Sequence, residues 1–311
     1  MKKKSIASLA SLILIAQIAF SQPQVAVDTV LLFYLGGQSN MDGYGYNSEL
    51  PDSLNMEFKD AWIFHGNTAA DDQAGGGAGI WDRLKPGHGY CFSSDGRTNV
   101  LCNRFGVELS FADRLKELYP GRKIAIIKYS RGGTSIDSLA TGRSGCWEPD
   151  YTGKTGLNQY DHFLATIRNA MSYKDIDSDG KDDYLLPCGI IWMQGESDAF
   201  WTEDIANRYY DNLKRLMDLM RAAFRQDDLP VVIGKITDSG QDKDGQIWPY
   251  CGLVQYAEEK YAKTDGNAAI VRSTMNYGYS DPYHYNSAGY IDLGRGFADN
   301  VSWLMKTVSK N

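Results

Sequence analysis

The stretch that decides the fold is residues 30–41, VLLFYLGGQSNM, in which six consecutive apolar residues lead into two glycines and a polar turn. A continuous apolar run of this length indicates a strand buried on both faces, as in parallel sheets covered by helices. The Gly36-Gly37 pair favours a tight turn, because glycine adopts backbone conformations that other residues avoid. Ser39 is therefore predicted to lie at the carboxyl end of a strand, where α/β sheets place their functional groups.

Apolar runs and helical patterns alternate along the rest of the chain. The patterns predict strands at 124–127, 189–193, 231–233 and 268–271, and helices at 107–118, 158–172, 205–224, 252–263 and 290–304. This alternation predicts an α/β fold, a three-layer α/β/α sandwich with a central, mainly parallel sheet. One domain over residues 22–311 is expected, and the Gly-rich stretch from His65 to Arg104 is predicted to be a long surface loop at the rim of a binding site.

Residues 1–21 have the pattern of a secretory signal peptide, with three lysines, a short apolar stretch and a small-residue cleavage site at Ala19-Phe20-Ser21. Gln17 interrupts the apolar stretch, which is too short for a membrane anchor. The mature protein is therefore expected to begin at Gln22 and to be secreted or periplasmic.

Charge and cysteine content narrow the function classes further. The 32 basic and 39 acidic side chains give a net charge of −7, which argues against binding to nucleic acid or to an anionic membrane. Export permits disulfides, and an odd count of five cysteines leaves at least one thiol unpaired. Cys91 and Cys102 flank a polar loop and are the best candidate pair, whereas Cys188 begins an apolar run and is expected to be a buried thiol.

Three polar motifs, each placed after a predicted strand, suit nucleophilic catalysis. Ser39 on a tight turn exposes a hydroxyl as a nucleophile, together with its own N–H. The glycine pair at Gly132 and Gly133 lets backbone N–H groups face a cleft, as an oxyanion hole requires. Gln194 offers an amide donor for the same purpose. Each motif also fits an ordinary turn or helix start when it is taken alone.

A fourth motif, Asp281-Pro-Tyr-His284, precedes the last predicted helix. A carboxylate three residues before a histidine can accept a hydrogen bond from its Nδ1 and leave Nε2 free to deprotonate a serine. Glu196, in the Gln194 motif, is an alternative carboxylate for orienting a base.

Taken together, the motifs resemble the blocks of the SGNH (GDSL-like) hydrolase superfamily, and more closely the family-6 carbohydrate esterases and the sialate O-acetylesterase-like (SASA) domain. The matching pieces are Gly-Gln-Ser-Asn-Met at 37–41, Arg-Gly-Gly-Thr-Ser-Ile at 131–136, Gln-Gly-Glu-Ser-Asp at 194–198 and Asp-x-x-His at 281–284. The resemblance implies the flavodoxin-like SGNH hydrolase fold and a serine esterase that needs no cofactor for catalysis.

The resemblance also implies residue roles. Ser39 is the nucleophile, His284 the general base and acid, and Asp281 the residue that orients His284, with Glu196 as the alternative acid. The oxyanion hole would consist of the N–H groups of Ser39 and Gly132 and of the side chain of Gln194, where the wider superfamily has asparagine.

Residues 175–183 have the spacing of a calcium loop. Asp175, Asp177, Asp179 and Asp183 occupy loop positions 1, 3, 5 and 9, with glycine at position 6. The bidentate glutamate of an EF-hand is missing at position 12, so the prediction is a structural calcium site, and a solvated acidic turn is the alternative.

The predicted partner is an acetylated polysaccharide or glycan. Asn40, Arg131 and Tyr283 are predicted to bind substrate, and Arg131 or Arg143 would favour a sugar carboxylate. Nearby aromatic residues are candidates for stacking on sugar rings: Tyr44, Tyr46, Trp147, Trp201, Tyr283 and Tyr285. The leading hypothesis is a secreted acetylxylan esterase. A sialate O-acetylesterase and a non-catalytic carbohydrate-binding protein are the alternatives, and the oligomeric state stays undetermined.

Overall fold

The computed structural model describes residues 28–69, 74–152 and 158–308. The predicted signal peptide and its cleavage site lie outside the described residues. Within them, none of the helices combines the length and the apolar character needed to cross a membrane.

Seven of the eleven described strands form one sheet, and the other four pair off as two short ribbons. The strands are β1 (Asp28–Gly37), β2 (Gly45–Tyr46), β3 (Ala61–His65), β4 (Trp81–Arg83), β5 (Ser93–Ser94), β6 (Asn99–Val100), β7 (Arg104–Phe105), β8 (Ile124–Ser130), β9 (Asp183–Met193), β10 (Val231–Gly234) and β11 (Ala268–Val271).

The central sheet has the order β11-β10-β9-β1-β8-β3-β4. All neighbouring strands are parallel except β3 and β4, which are antiparallel. The strands β8-β1-β9-β10-β11, numbered in chain order, give 2-1-3-4-5, which is the flavodoxin-like order. The predicted mainly parallel α/β fold is confirmed.

Helices cover both faces of this sheet: α2 (Glu108–Leu118), α3 (Gln159–Ala170), α4 (Glu203–Ala223), α5 (Cys251–Thr264) and α6 (Ser287–Val308), with the short α1 (Ser39–Asp42) at the end of β1. Neighbouring residues of β1 face opposite layers. Phe33 packs on Phe111 of α2 at a ring-centroid distance of 5.3 Å, and Tyr34 packs on Phe163 of α3 at 4.8 Å. The continuous apolar run of β1 is therefore buried from both sides, as predicted.

The predicted loop from His65 to Arg104 is only partly irregular. It contains β4, which extends the sheet beyond β3, and the disulfide between Cys91 and Cys102 confirms the predicted pair. Cys188 is a buried free thiol, also as predicted.

The carboxyl ends of β1, β8 and β9 lie side by side. Gly37 is in register with Ser130 on one side and with Met193 on the other. A Cβ at Gly37 would lie 2.0 Å from the carbonyl oxygen of Met193, and its φ of 143° is one that glycine tolerates. The first three motifs therefore meet at one edge of the sheet.

Candidate active site

A cavity of about 440 Å³ opens at this edge of the sheet. Ser39, the first residue of α1, and His284, in the loop before α6, both line it, together with Gln38, Gly132, Arg131 and Tyr283. The Ser39 N–H donates to no acceptor among the described residues. The nucleophile and base predicted from the sequence therefore share one cavity.

Asp281 orients His284. Its Oδ2 lies 2.8 Å from Nδ1 of His284, and its Oδ1 accepts the backbone N–H groups of Tyr283 and His284. Burial alone would raise the pKa of Asp281, but the hydrogen bonds from His284 and Tyr283 outweigh it and hold that pKa below its usual value. An ionised Asp281 selects the tautomer with the proton on Nδ1 and leaves Nε2 as the basic atom.

Tyr44 stacks on the imidazole of His284 at a ring-centroid distance of 3.5 Å, and Tyr90 stacks on the other face of Tyr44 at 4.3 Å. Burial lowers the pKa of His284, and the opposing hydrogen bond and charge of Asp281 do not restore it to its usual value. The lowered pKa favours the neutral imidazole, the state that a general base requires.

Glu196 does not take the place of Asp281. It is buried behind the cavity, and its Oε1 accepts a hydrogen bond from Nδ2 of Asn40 at 2.8 Å. Burial raises the pKa of Glu196. The His284 Nδ1 thus pairs with Asp281 and not with Glu196, and the catalytic role of Asp281 stays a prediction.

Asn40 was predicted to bind substrate, but its side chain is buried and has four protein partners. Besides Glu196, its Nδ2 donates to the carbonyl of Tyr283, and its Oδ1 accepts the N–H of Tyr285 and the hydroxyl of Tyr290. The two backbone groups flank His284. Asn40 therefore ties the nucleophile turn to the histidine loop instead of facing a ligand.

Gln194, the predicted amide donor, does not line the cavity. Gln194 is fully buried, and its Nε2 donates to Gln38, to the carbonyl of Thr134 and to Asp198, so it does not reach the cavity. Gln38 lines the cavity instead. Its Oε1 accepts hydrogen bonds from Gln194, Gly195 and Ser197 at 3.2–3.3 Å, which fixes the amide. The signal in the sequence was the position of Gln38, directly before Ser39.

Gly132 lies close to the nucleophile, since a Cβ there would be 3.3 Å from the Cβ of Ser39. The carboxylate of Asp42, which the sequence analysis did not single out, lies beside it. Burial raises the pKa of Asp42 to about 6, although the positive charge of Lys128 opposes this. The role of Gly132 as an oxyanion donor stays a prediction.

The predicted substrate-binding residues separate into two groups. Arg131 and Tyr283 line the cavity, and Arg131 donates to Thr68 at 3.3 Å. Trp147 and Tyr285 are fully buried core residues, so the prediction that they stack on sugars is wrong. The remaining aromatic candidates, Tyr44, Tyr46, Trp201 and Tyr283, are partly or largely exposed. Arg143 is exposed on a turn and does not line the cavity, although its neighbour Ser144 does.

Three of the four predicted calcium ligands converge. Ligand oxygens of Asp175, Asp177 and Asp183 lie within 4.8 Å of one another, whereas Asp179 accepts from the backbone and ammonium of Lys181. The ammonium of Lys123 binds Asp177 and lies 3.9 Å from Asp183. A cationic side chain thus already neutralises part of the cluster, and calcium binding stays a prediction.

Comparison with known families and structures agrees with this geometry. The family model described as "carbohydrate esterase, sialic acid-specific acetylesterase" matches residues 29–302. Among curated proteins, no sequence matches this chain.

Solved structures show the same fold at low sequence identity. A protein from Arabidopsis thaliana has a TM-score of 0.60 and 20% identity, over 87% of this chain and 97% of that chain. A carbohydrate acetylesterase from Xanthomonas citri has a TM-score of 0.59 and 17% identity, over 89% of this chain and 56% of that chain. The protein NanS has a TM-score of 0.55 and 17% identity, over 91% and 98%.

Proposed function

The chain belongs to the family of carbohydrate esterases described as sialic acid-specific acetylesterases, and on this premise we propose that it removes O-acetyl groups from carbohydrate through an acetyl-serine intermediate. The observation that carries the proposal is the pairing of Asp281 with Nδ1 of His284 at 2.8 Å, in a loop that places His284 in the cavity of Ser39. A protein that only binds sugar has no use for an oriented, neutral histidine beside a serine.

The proposed reaction has two halves. Nε2 of His284 takes the proton of the Ser39 hydroxyl as Oγ attacks the acetyl carbonyl, and the imidazolium then protonates the departing sugar oxygen. In the second half, His284 deprotonates a water that attacks the acetyl-serine, and Ser39 regains its proton as acetate leaves.

The negative charge of each tetrahedral intermediate needs donors that are already in place. We propose the N–H of Ser39, the N–H of Gly132 and the amide of Gln38 for this role. Because three hydrogen bonds fix the amide oxygen of Gln38, its NH2 group needs little reorganisation during the reaction. Such preorganised donors typically contribute about 2.7–4 kcal/mol each to lowering the barrier.

The proposed substrate is acetylxylan or a similar plant polysaccharide. The enzyme would act on it outside the cytoplasm, after export. A sialate O-acetylesterase acting on host glycans is the second candidate, since Arg131 lines the cavity and can pair with the carboxylate of a sialic acid. Structural calcium at the Asp175–Asp183 loop is a separate proposal and takes no part in this chemistry.

The test is acetate release from p-nitrophenyl acetate, acetylated xylan and O-acetylated sialic acid by the mature protein and by Ser39→Ala. We expect Ser39→Ala to lose at least about a hundredfold in kcat on every substrate that the wild type cleaves. Asp281→Asn should also lose heavily, whereas Glu196→Gln keeps the Asp281–His284 pair and should lose much less.

Two results would overturn the proposal. Equal activity of the wild type and Ser39→Ala would remove the serine from the reaction. A wild type that is inert on every acetyl ester, while still binding the glycan, would favour the carbohydrate-binding alternative.

A further inference from the structure

A row of aromatic side chains leads away from the catalytic histidine. It consists of Trp201, Phe200, Trp248 and Tyr283, hereafter the aromatic row. Successive ring centroids lie 5.4, 6.1 and 5.7 Å apart, and Tyr283 lies 6.2 Å from the ring of His284. Successive rings meet edge to face or tilted, at 52–85°, so the row is a chain of neighbouring rings that begins at the site of the proposed reaction.

Most of this surface is open to solvent although it is apolar. Phe200, Trp201 and Tyr283 are 47%, 51% and 49% exposed. Trp248 and Tyr283 are also walls of the catalytic cavity. Exposed aromatic groups that adjoin a functional cavity mark a binding surface more often than isolated exposed rings do.

Hydrogen bonds hold the three loops of the row in place before any ligand binds. Asp238 accepts the N–H groups of Ile247 and Trp248, which fixes the loop that carries Trp248. The N–H of Tyr250 donates to the carbonyl of Ala199, next to Phe200, at 2.9 Å.

A side-chain hydrogen bond joins the segment next to Asp238 to the loop that carries Tyr283 and His284. Ser239 Oγ donates to the carbonyl of Pro282, next to Tyr283, at 2.7 Å. Because the loops are joined to one another, they would need little further ordering when a ligand stacks on the row.

We propose that the aromatic row binds the sugar units of a neutral polysaccharide chain beside the unit whose acetyl group occupies the cavity. This inference rests on the proposed function and adds to it a binding surface for the units beside the cavity. Pyranose rings present apolar C–H faces that stack on aromatic rings, and a row of rings suits successive units of a chain rather than a single sugar. The rings carry no formal charge, and the carboxyl groups that brace their loops, Asp238 and Asp281, disfavour a chain of acidic sugars.

The test compares a chain substrate with a small one. Trp201→Ala should lower kcat/KM on acetylated xylo-oligosaccharides about tenfold, mainly through KM, and leave kcat/KM on p-nitrophenyl acetate within about twofold, because the small ester does not reach the row. Trp303→Ala is the matched control, since Trp303 is 59% exposed on α6 and outside the row. It should change neither value.

A binding measurement keeps this inference separate from the proposed function. Calorimetry with deacetylated xylo-oligosaccharides and Ser39→Ala protein should show binding that is lost in Ser39→Ala/Trp201→Ala, whether or not the wild type is an esterase. Equal losses on both esters, equal effects of Trp303→Ala, or the absence of xylo-oligosaccharide binding would each overturn the inference. So would a change of sedimentation coefficient in Trp201→Ala, because the row would then be a contact between copies of the chain.

Discussion

At the scale of single residues, only Gln194 was predicted to face the cavity, but Gln38 is the glutamine that lines it. Both follow the end of a strand, so residue type and position alone do not distinguish them. The two glutamines differ in their tertiary hydrogen bonds. The NH2 group of Gln194 donates to buried acceptors, and one of these is the side chain of Gln38. The sequence predicts which residue types meet at this edge, but the direction of a buried amide depends on partners far away along the chain.

Replacing Gln38 tests this assignment. Gln38→Met keeps a similar volume but removes the amide, so we expect kcat to fall by about 10²–10³ with little change in KM, as for the loss of one oxyanion donor. The measurement is steady-state kinetics on p-nitrophenyl acetate. Gln194→Met serves as the comparison and should retain more activity, since it only loosens the support of Gln38. A larger loss of kcat in Gln194→Met would restore the original prediction.

The contact between Asp281 and His284 was easier to predict than the arrangement of the two glutamines. An aspartate three residues before a histidine makes a local contact, and the structure has it at 2.8 Å. Asn40 was harder, because its four partners come from Glu196 and from the segment around His284. Local spacing is visible in a sequence, whereas contacts across more than 150 residues are not.

At the scale of elements, the strong apolar patterns gave the correct strands and helices. The α4 helix begins two residues before the predicted start, with Thr202 Oγ accepting the N–H of Ile205. β3 was not predicted, because its five residues form a short run beside a glycine-rich stretch. Short strands in such a context are fixed by pairing, here with β8 and β4, and periodicity does not reveal pairing.

The acidic loop between α3 and β9 gives a prediction at this scale. Burial would lower the pKa of Lys123, but hydrogen bonds to Asp177 and Asp28 outweigh it and raise that pKa above its usual value. Lys123→Met leaves the carboxylates of the loop without this cation. We expect it to lower the free energy of unfolding by about 1–2 kcal/mol, since the side chain is partly exposed.

Calcium provides the second arm of this measurement. Millimolar Ca²⁺ should raise the melting temperature of Lys123→Met more than that of the wild type, because the ion then has no ammonium to displace. Urea unfolding and thermal melts with Ca²⁺ or with chelator give both values. If neither protein responds to Ca²⁺, the calcium prediction is wrong and the loop is an acidic turn closed by Lys123.

At the scale of the whole molecule, the site is assembled from segments that the parallel sheet brings together. Ser39, Gly132 and His284 are far apart in sequence, and the register of β1 with β8 joins the first two. The motif order therefore predicted the fold and the meeting of these segments together. The rim of the cavity was not predicted in detail, because its aromatic residues lie on loops without a periodic pattern.

The disulfide connects global stability to this rim. Cys91 directly follows Tyr90, which stacks on Tyr44, and Tyr44 covers His284. Cys91→Ser/Cys102→Ser opens a short loop, and we expect the free energy of unfolding to fall by about 2–3 kcal/mol. Guanidinium unfolding measures this loss. Dithiothreitol should lower the melting temperature of the wild type but not that of the double variant, as expected for a protein that acts in an oxidising compartment. If dithiothreitol leaves the melting temperature of the wild type unchanged, the disulfide does not stabilise the protein. The proposal of export would then lose this support.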